Sequence, residues 1–333
     1  MIRDKKRIII GMPTSFGFYK IIKERLEQMG YQIIDVSFQD HDFKYKSWVD
    51  RVYNLFRKVF LGDRSYKGKL KFLSTGQGIV TLLKNLKGKV DQALIIRSDI
   101  YPKFVMDLIR QKSDELIGYQ WDGLNRYPEI KSRLKYFDKF YYFDKCDVID
   151  NSGYDKLVPI TNFFFSHLRS LETGIEKNTF LFLGSYITSR MKNIVNAERL
   201  IRDVGGVTNF IVYANSDMMI NNGEFANINF IHQQIQYIDY IKLVLKSEYI
   251  VDILVDVHEG LSFRVFEAVG YKKKLITNNK TIRNYDFYHP NNIFILGDED
   301  REFAEFLNLP YVEINENIIE KYDFDNWILR IFT

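Results

Sequence analysis

The feature that most constrains this chain is an alternation that runs along its length and occurs twice. Short β-branched and aromatic runs at 7–11, 31–37, 92–97, 116–121 and 139–143 are separated by segments of helical spacing at 16–29, 44–60, 79–87, 102–113 and 128–136. After a turn-rich stretch the pattern restarts, with runs at 179–183, 209–213, 228–232, 249–255, 274–277 and 293–296 and helical segments at 188–204, 235–246, 261–271 and 300–307. Strands that alternate with helices of this length build parallel sheets, because each return to the sheet needs a crossover. Two such series predict two doubly wound α/β domains, with the boundary between Asn162 and Asn178. A length of 333 residues suits two domains of ordinary size.

Composition removes several classes. With 46 % apolar and 27 % charged residues, the chain is no candidate for wholesale disorder. Its longest apolar runs of five to seven residues fall far short of the ~20 that span a bilayer, and the three isoleucines before Gly11 are too few for the apolar centre of a signal peptide. A lone Cys146 excludes an internal disulfide and a cysteine-based zinc site. The expected home is therefore the cytoplasm.

The net charge of +4 conceals an asymmetry: residues 1–170 carry +11 and residues 171–333 carry −7. The first half is thus expected to meet something anionic. The richest stretch, 44–71, holds nine basic residues and two acidic ones. Within it Trp48, Val52, Leu55, Phe56 and Val59 repeat at helical spacing, with Arg51, Arg57 and Lys58 elsewhere on the wheel. This is either an amphipathic helix for the anionic inner face of a membrane or a core-packing helix with a solvated basic face. No nucleic-acid partner is expected, since no recognition module is visible.

Open parallel sheets bind ligands beyond the carboxyl ends of their strands, where helix N-termini supply partial positive charge. The first strand leads into Gly11-Met-Pro-Thr-Ser-Phe-Gly17, a turn whose glycines would let a ligand approach. Neither it nor Gly76-Gln-Gly78 has dinucleotide-binding spacing, and no phosphate-binding P-loop occurs anywhere. The most informative stretch is VDILVDVHEGLSFRVFEAVGYKKKLITNN, residues 251–279. Here a buried strand ends at His258-Glu259-Gly260, and a helix begins near Leu261 or Ser262, with Ser262 placed to cap it. Glu259 in the loop and Glu267 in the helix both approach one ligand in this reading. Carboxylates suit sugars because each oxygen accepts hydrogen bonds from hydroxyls. The plainer alternative makes Glu259 a solvated loop residue and Glu267 a helix-surface residue.

The pattern Glu-Gly-hydrophobic-x4-Phe-Glu-Ala-x-Gly resembles the donor-site signature of retaining glycosyltransferases with the GT-B fold, and LSFRVFEAVGYKKKLIT is similar to bacterial capsule and lipopolysaccharide biosynthesis proteins. The specific match covers about 30 residues. The resemblance implies two Rossmann-like domains facing across a cleft: an acceptor-binding domain over 1–168, a nucleotide-sugar-binding domain over 169–318, and a helix at 319–333 packing back on the first domain. It also implies a nucleotide-sugar donor, a glycan or lipid-linked glycan acceptor, and no metal or other cofactor. Glu259 would lie beside the donor sugar and Glu267 would hold the ribose. Backbone amides around Gly260, Leu261 and Ser262 would face phosphate.

In that family a basic pair follows the first donor-domain strand. Here Gly184 is followed by Ser185 and Tyr186 where an arginine is usual, leaving Arg190 and Lys192 as substitutes or as helix-surface charges. His258 either touches the ligand or simply packs, and Arg264 either neutralises phosphate or a donor carboxylate or lies on the surface.

In the first half, Trp121 suits the apolar face of a sugar. Asp122 is a candidate base, nucleophile or acceptor ligand, or else a turn cap, and Asp99 is equally ambiguous. Retention proceeds through a front-face reaction or through two inversions on a carboxylate. If the chain resembles the Kdo transferases of this architecture, Asp122 is the nucleophile and the donor a CMP-sugar. A nucleotide-sugar epimerase and a non-catalytic scaffold are the competing readings. Asp40-His-Asp42 superficially resembles a metal-binding D-x-D but sits too early for that fold.

Overall fold

Both expected parallel sheets are present in the computed structural model, which describes residues 5–39, 43–62, 65–124, 127–144, 156–172, 174–214, 225–255, 259–298 and 302–333. The chain forms two compact units, one of residues 1–142 and 150–159 and the other of 143–149 and 160–333. The first contains strands β1 (Arg7–Gly11), β2 (Gln32–Asp35), β3 (Val90–Ile96), β4 (Ser113–Gln120), β5 (Lys139–Tyr142) and β6 (Leu157–Pro159) in the spatial order 2-1-3-4-5-6. Around them lie helices α1 (Phe18–Gln28), α2 (Trp48–Phe60), α3 (Ser65–Asn85) and α4 (Lys103–Lys112). Ile8, Ile9 and Ile10 of β1 are buried on both faces, as a central parallel strand requires. Val105, Met106 and Ile109 turn one face of α4 inward. Segment 128–136, expected to be an ordinary helix, is a 3-10 helix, and β6 carries no sequence signal beyond three residues ending in proline.

The second unit contains β7 (Glu176–Ser185), β8 (Val207–Tyr213), β9 (Asn229–Ile231), β10 (Ser247–Asp252), β11 (Lys274–Thr277) and β12 (Ile293–Ile295), with α5 (Thr188–Asp203), α6 (Tyr237–Lys246), α7 (Phe263–Gly270), α8 (Phe303–Asn308), α9 (Glu316–Glu320) and α10 (Phe324–Ile331). Its strand order is 12-11-10-7-8-9. Counted within the unit, this is the doubly wound order 3-2-1-4-5-6, whose direction reverses between β7 and β10. Phe180 of β7 stacks on Tyr249 of β10 with centroids 4.2 Å apart.

Segment 160–168, placed by the sequence with the first domain, belongs to the second unit. It is also the anchor for the C-terminal helix. The Trp327 indole Nε1–H donates to the Thr161 carbonyl at 2.7 Å, and its ring lies 4.3 Å from Phe163. Backbone hydrogen bonds join Phe164 to Tyr322 and to Phe324. The helix expected to reach back to the first domain thus packs within the second unit, where a buried indole finds its acceptor.

Candidate functional site

The connection from β10 to α7 stands beside the point where the second sheet reverses its order, and the backbone of its last residues, from Glu259 on, is fixed from several sides. Glu259 N–H donates to Asp144 Oδ2 at 3.0 Å, and Asn279 Nδ2 donates to the Glu259 carbonyl at 2.9 Å. Asn162 Nδ2 donates to the Leu261 carbonyl at 3.0 Å. Asp144, Asn162 and Asn279 are all buried, so these bonds form away from competing water. The Glu259 side chain, by contrast, is exposed. A rigid backbone presenting one exposed carboxylate is how a preorganised contact is built. Gly260 is required by packing, since a Cβ there would lie 2.4 Å from the Phe143 ring. His258 lies outside the described residues, as do Asp40, His41 and Asp42.

Ser262 occupies the N-cap position of α7 but does not cap it. Its hydroxyl donates instead to Asp252 Oδ1 at 2.8 Å, at the end of β10. The first turn of α7 therefore keeps its amides free of a side-chain cap and retains the positive end of its dipole. Arg264 spans the reversal point: its Nε donates to Asp252 Oδ1 at 2.8 Å and its Nη1 to the Leu183 carbonyl of β7 at 2.9 Å. Burial works against its charge, but Asp252 outweighs that and holds the guanidinium protonated more firmly than an ordinary arginine.

Glu267 is fully buried, not at a helix surface. Tyr237 Oη donates to Oε1 at 2.7 Å and Tyr240 Oη to Oε2 at 2.5 Å, both from α6. Burial raises its pKa, and the two phenols and Arg264 oppose that only in part. The two glutamates of the sequence pattern therefore occupy opposite environments.

Arg190 also turns inward. It is buried, donates through Nη2 to the Ser185 carbonyl and lies 5.6 Å from the Phe182 ring. Gly184 makes room for it, because a Cβ would meet its Nη2 at 2.7 Å. Lys192 is exposed on α5.

In the first unit, a charged cluster sits where β3 and β4 end. Arg97 grips Asp99 with two bonds, Nε to Oδ1 at 2.8 Å and Nη2 to Oδ2 at 2.7 Å, and places Nη1 3.6 Å from Asp122 Oδ2. Its guanidinium lies 3.6 Å from the Tyr127 ring centroid, and its backbone adopts φ 60°, which is strained for a side chain of this size. Burial disfavours its charge, but the hydrogen bonds it donates to Asp99 and the charge of Asp99, aided by Tyr127 and Asp122, overcome this and raise its pKa. Asp99 is thus committed to Arg97, whereas Asp122 remains about a quarter exposed. Trp121 meets Phe18 edge-on at 5.7 Å. Next to it Gln120 is fully buried, and neither its amide nitrogen nor its oxygen hydrogen-bonds to protein among the described residues.

Gly11 is explained by packing rather than by ligand approach. A Cβ there would lie 2.8 Å from Ile95 Cδ1 and 2.8 Å from the Tyr101 hydroxyl, which crosses to the Val36 carbonyl.

The sequence puts Glu259 in a strand-to-helix loop, Ser262 at the cap of the helix that follows, Arg264 just beyond it and Asp122 after a strand, but it does not show what holds them. Asp144, Asn162, Asp252, Asn279, Tyr237 and Tyr240 were not assigned, and neither were Arg97, Gln120 or Tyr127. Position after a strand was the one available signal for Arg97; the partners of Glu267 lie 27 and 30 residues away.

No family model matches the sequence, and no similar curated protein is found. Solved structures do match. An alpha-glucosyltransferase in complex with UDP and a 13-mer DNA containing an HMU base aligns at 11 % identity over 98 % of this chain and 99 % of its own, with a TM-score of 0.61. A glycosyltransferase from Rickettsia africae ESF-5 aligns at 12 % identity over 99 % and 98 %, with a TM-score of 0.55. At these identities the likeness concerns the fold, and the fold of two doubly wound α/β units is the one these GT-B glycosyltransferases share.

Proposed function

We propose that the chain is a retaining glycosyltransferase that moves a sugar from a nucleotide-sugar donor to a glycan or lipid-linked glycan acceptor in bacterial surface-polysaccharide synthesis, in lipopolysaccharide or capsule. The observation that carries this reading is the uncapped N-terminus of α7 at the reversal point of the second sheet. Such an end attracts phosphate through the positive pole of its dipole. The Ser262 hydroxyl is held by Asp252 and puts no side-chain cap on it. In this reading the donor diphosphate or phosphate rests on the Gly260–Ser262 backbone and the exposed Glu259 accepts hydrogen bonds from the sugar. Arg190 and Arg264 add positive potential beneath the leaving group, a role served by fixed charges in other group transfers. Asp122 is assigned the role of base, nucleophile or acceptor ligand, with Arg97 keeping a cation beside it. The fold shared with glycosyltransferases, one of them crystallised with UDP, supports the same assignment.

Thermal shift of the purified protein against UDP, GDP, ADP, CMP and dTDP, with and without magnesium, tests the donor site. A nucleotide at ~100 times its Kd stabilises the fold by about 2.7 kcal/mol. One nucleotide is expected to raise the Tm, with CMP pointing to a Kdo-type donor and to Asp122 as nucleophile. Glu259→Gln is expected to keep nucleotide affinity while lowering transfer from the matching sugar nucleotide by ~100-fold. A panel without any shift removes the donor site and leaves the scaffold reading. Conversion of the donor alone, without an acceptor, identifies an epimerase.

A further inference from the structure

Helix α2 is attached to its domain the wrong way round. At 100° per residue, its apolar side chains occupy one continuous arc of about 160°. An ordinary surface helix turns such an arc toward the core. In α2 no residue is buried, and the side chains of Trp48, Val52, Leu55, Phe56, Val59 and Phe60 are exposed by between 48 % (Phe56) and 77 % (Trp48). The contacts with α3 come from the other edge. Tyr66 Oη of α3 donates to Asp50 Oδ1 at 2.8 Å, Tyr53 meets the Tyr66 ring edge-on at 4.9 Å, and the Arg57 guanidinium lies 5.4 Å from that ring. Asp50, Asn54 and Arg57 are the half-buried positions of the helix, and all three are polar. The fold therefore spends a polar edge on packing and leaves the apolar face open, a contiguous patch of the kind that marks an interaction surface.

Charge decides what covers it. Lys44, Lys46, Arg51 and Lys58 are exposed around this face, and Lys67 and Lys69 are exposed on α3. A second copy would bring the same cations against these and be repelled. An anionic lipid surface answers both features at once, taking the apolar side chains into the acyl boundary and the ammonium and guanidinium groups among phosphates. No helix among the described residues is long and apolar enough to cross a membrane, and α2 at 13 residues is suited to lying in the interface plane.

We infer that α2 is an in-plane membrane-docking helix that binds anionic bilayers through its exposed apolar face and the basic residues bordering it. This surface is independent of the donor site, so the test uses no nucleotide, and its failure is read separately from that of the transferase reading.

The experiment is co-sedimentation of the full chain with vesicles of phosphatidylcholine alone or mixed with phosphatidylglycerol. Binding is expected only with phosphatidylglycerol, weakened at least tenfold by 0.5 M salt, and accompanied by a blue shift of Trp48 emission that Trp48→Phe abolishes. Leu55→Glu with Phe60→Glu is expected to lower vesicle affinity about tenfold or more while far-UV circular dichroism is unchanged, since neither side chain is buried. Arg51→Glu with Lys58→Glu is expected to abolish the preference for anionic lipid. Four outcomes would overturn the inference: no sedimentation with anionic vesicles, full binding by the Leu55/Phe60 variant, a concentration-dependent dimer that the same variant dissolves, or retention by duplex DNA in preference to vesicles.

Discussion

Glu267 holds a carboxylate where water does not reach and gives each of its oxygens a phenol donor. Burial raises its pKa above the ordinary 4.5, so between pH 4.5 and that raised value the folded chain binds more protons than the unfolded one. Its contribution to stability is then fully present below pH 4.5 and is lost as pH rises through the folded-state pKa. Glu267→Gln keeps the shape and removes the titration. The variant is therefore expected to gain in Tm relative to the parent between pH 4 and pH 7, read by thermal melts across that range. A variant that instead loses ground as pH rises would mean that Tyr237, Tyr240 and Arg264 favour the ionised form more than burial disfavours it. The sequence offered Glu267 as a ligand group because spacing reports which residues share a helix turn. It does not report that Tyr237 and Tyr240, from another helix, donate to its two oxygens. The same holds for Ser262, which reads as a cap until Asp252 is seen to claim its hydroxyl.

At the scale of elements, parallel strands were legible because both their faces are buried and they read as apolar runs, such as Ile8–Ile10 in β1. α3 was legible only in part. It contains Gly68, Gly76 and Gly78, which argue against a helix, yet the helix runs unbroken from Ser65 to Asn85. Tertiary packing overrides propensity here. Phe72 is fully buried and lies over Gly76, where a Cβ would meet its ring at 2.8 Å, whereas Gly78 has nothing within 4 Å. The two glycines should therefore respond oppositely to alanine. Gly78→Ala is expected to stabilise by about 0.5–1 kcal/mol, through propensity alone. Gly76→Ala is expected to cost about 1–3 kcal/mol by overpacking Phe72. Urea melts of the two variants compare them directly, and similar effects at both sites would remove the packing explanation.

For the whole molecule, the sequence boundary between 162 and 178 assumed that the chain changes domain once. Among the described residues it does not: 143 and 144 group with the second unit, 156–159 with the first, and 160 onward with the second. Hydrophobic periodicity is blind to such a return, because Phe143 and Phe163 read as core residues wherever they pack. Each unit has a core of its own, around Ile9, Leu94 and Ile117 in the first and around Phe182, Val251 and Ile276 in the second. A further aromatic cluster, Phe163, Phe165, Phe324 and Trp327, ties the C-terminal helix to the segment where the chain finally enters the second unit. Trp327 is fully buried and supplies both ring contacts and the hydrogen bond to Thr161. Trp327→Ala removes all of these and is expected to destabilise by about 3–5 kcal/mol. Each unit has its own core, so the loss is expected to be local in amide exchange. Residues 161–166 and α10 are expected to lose protection, while β1, β3 and β4 keep theirs. Equal loss in α10 and in β1, β3 and β4 would mean that the two cores unfold as one cooperative body.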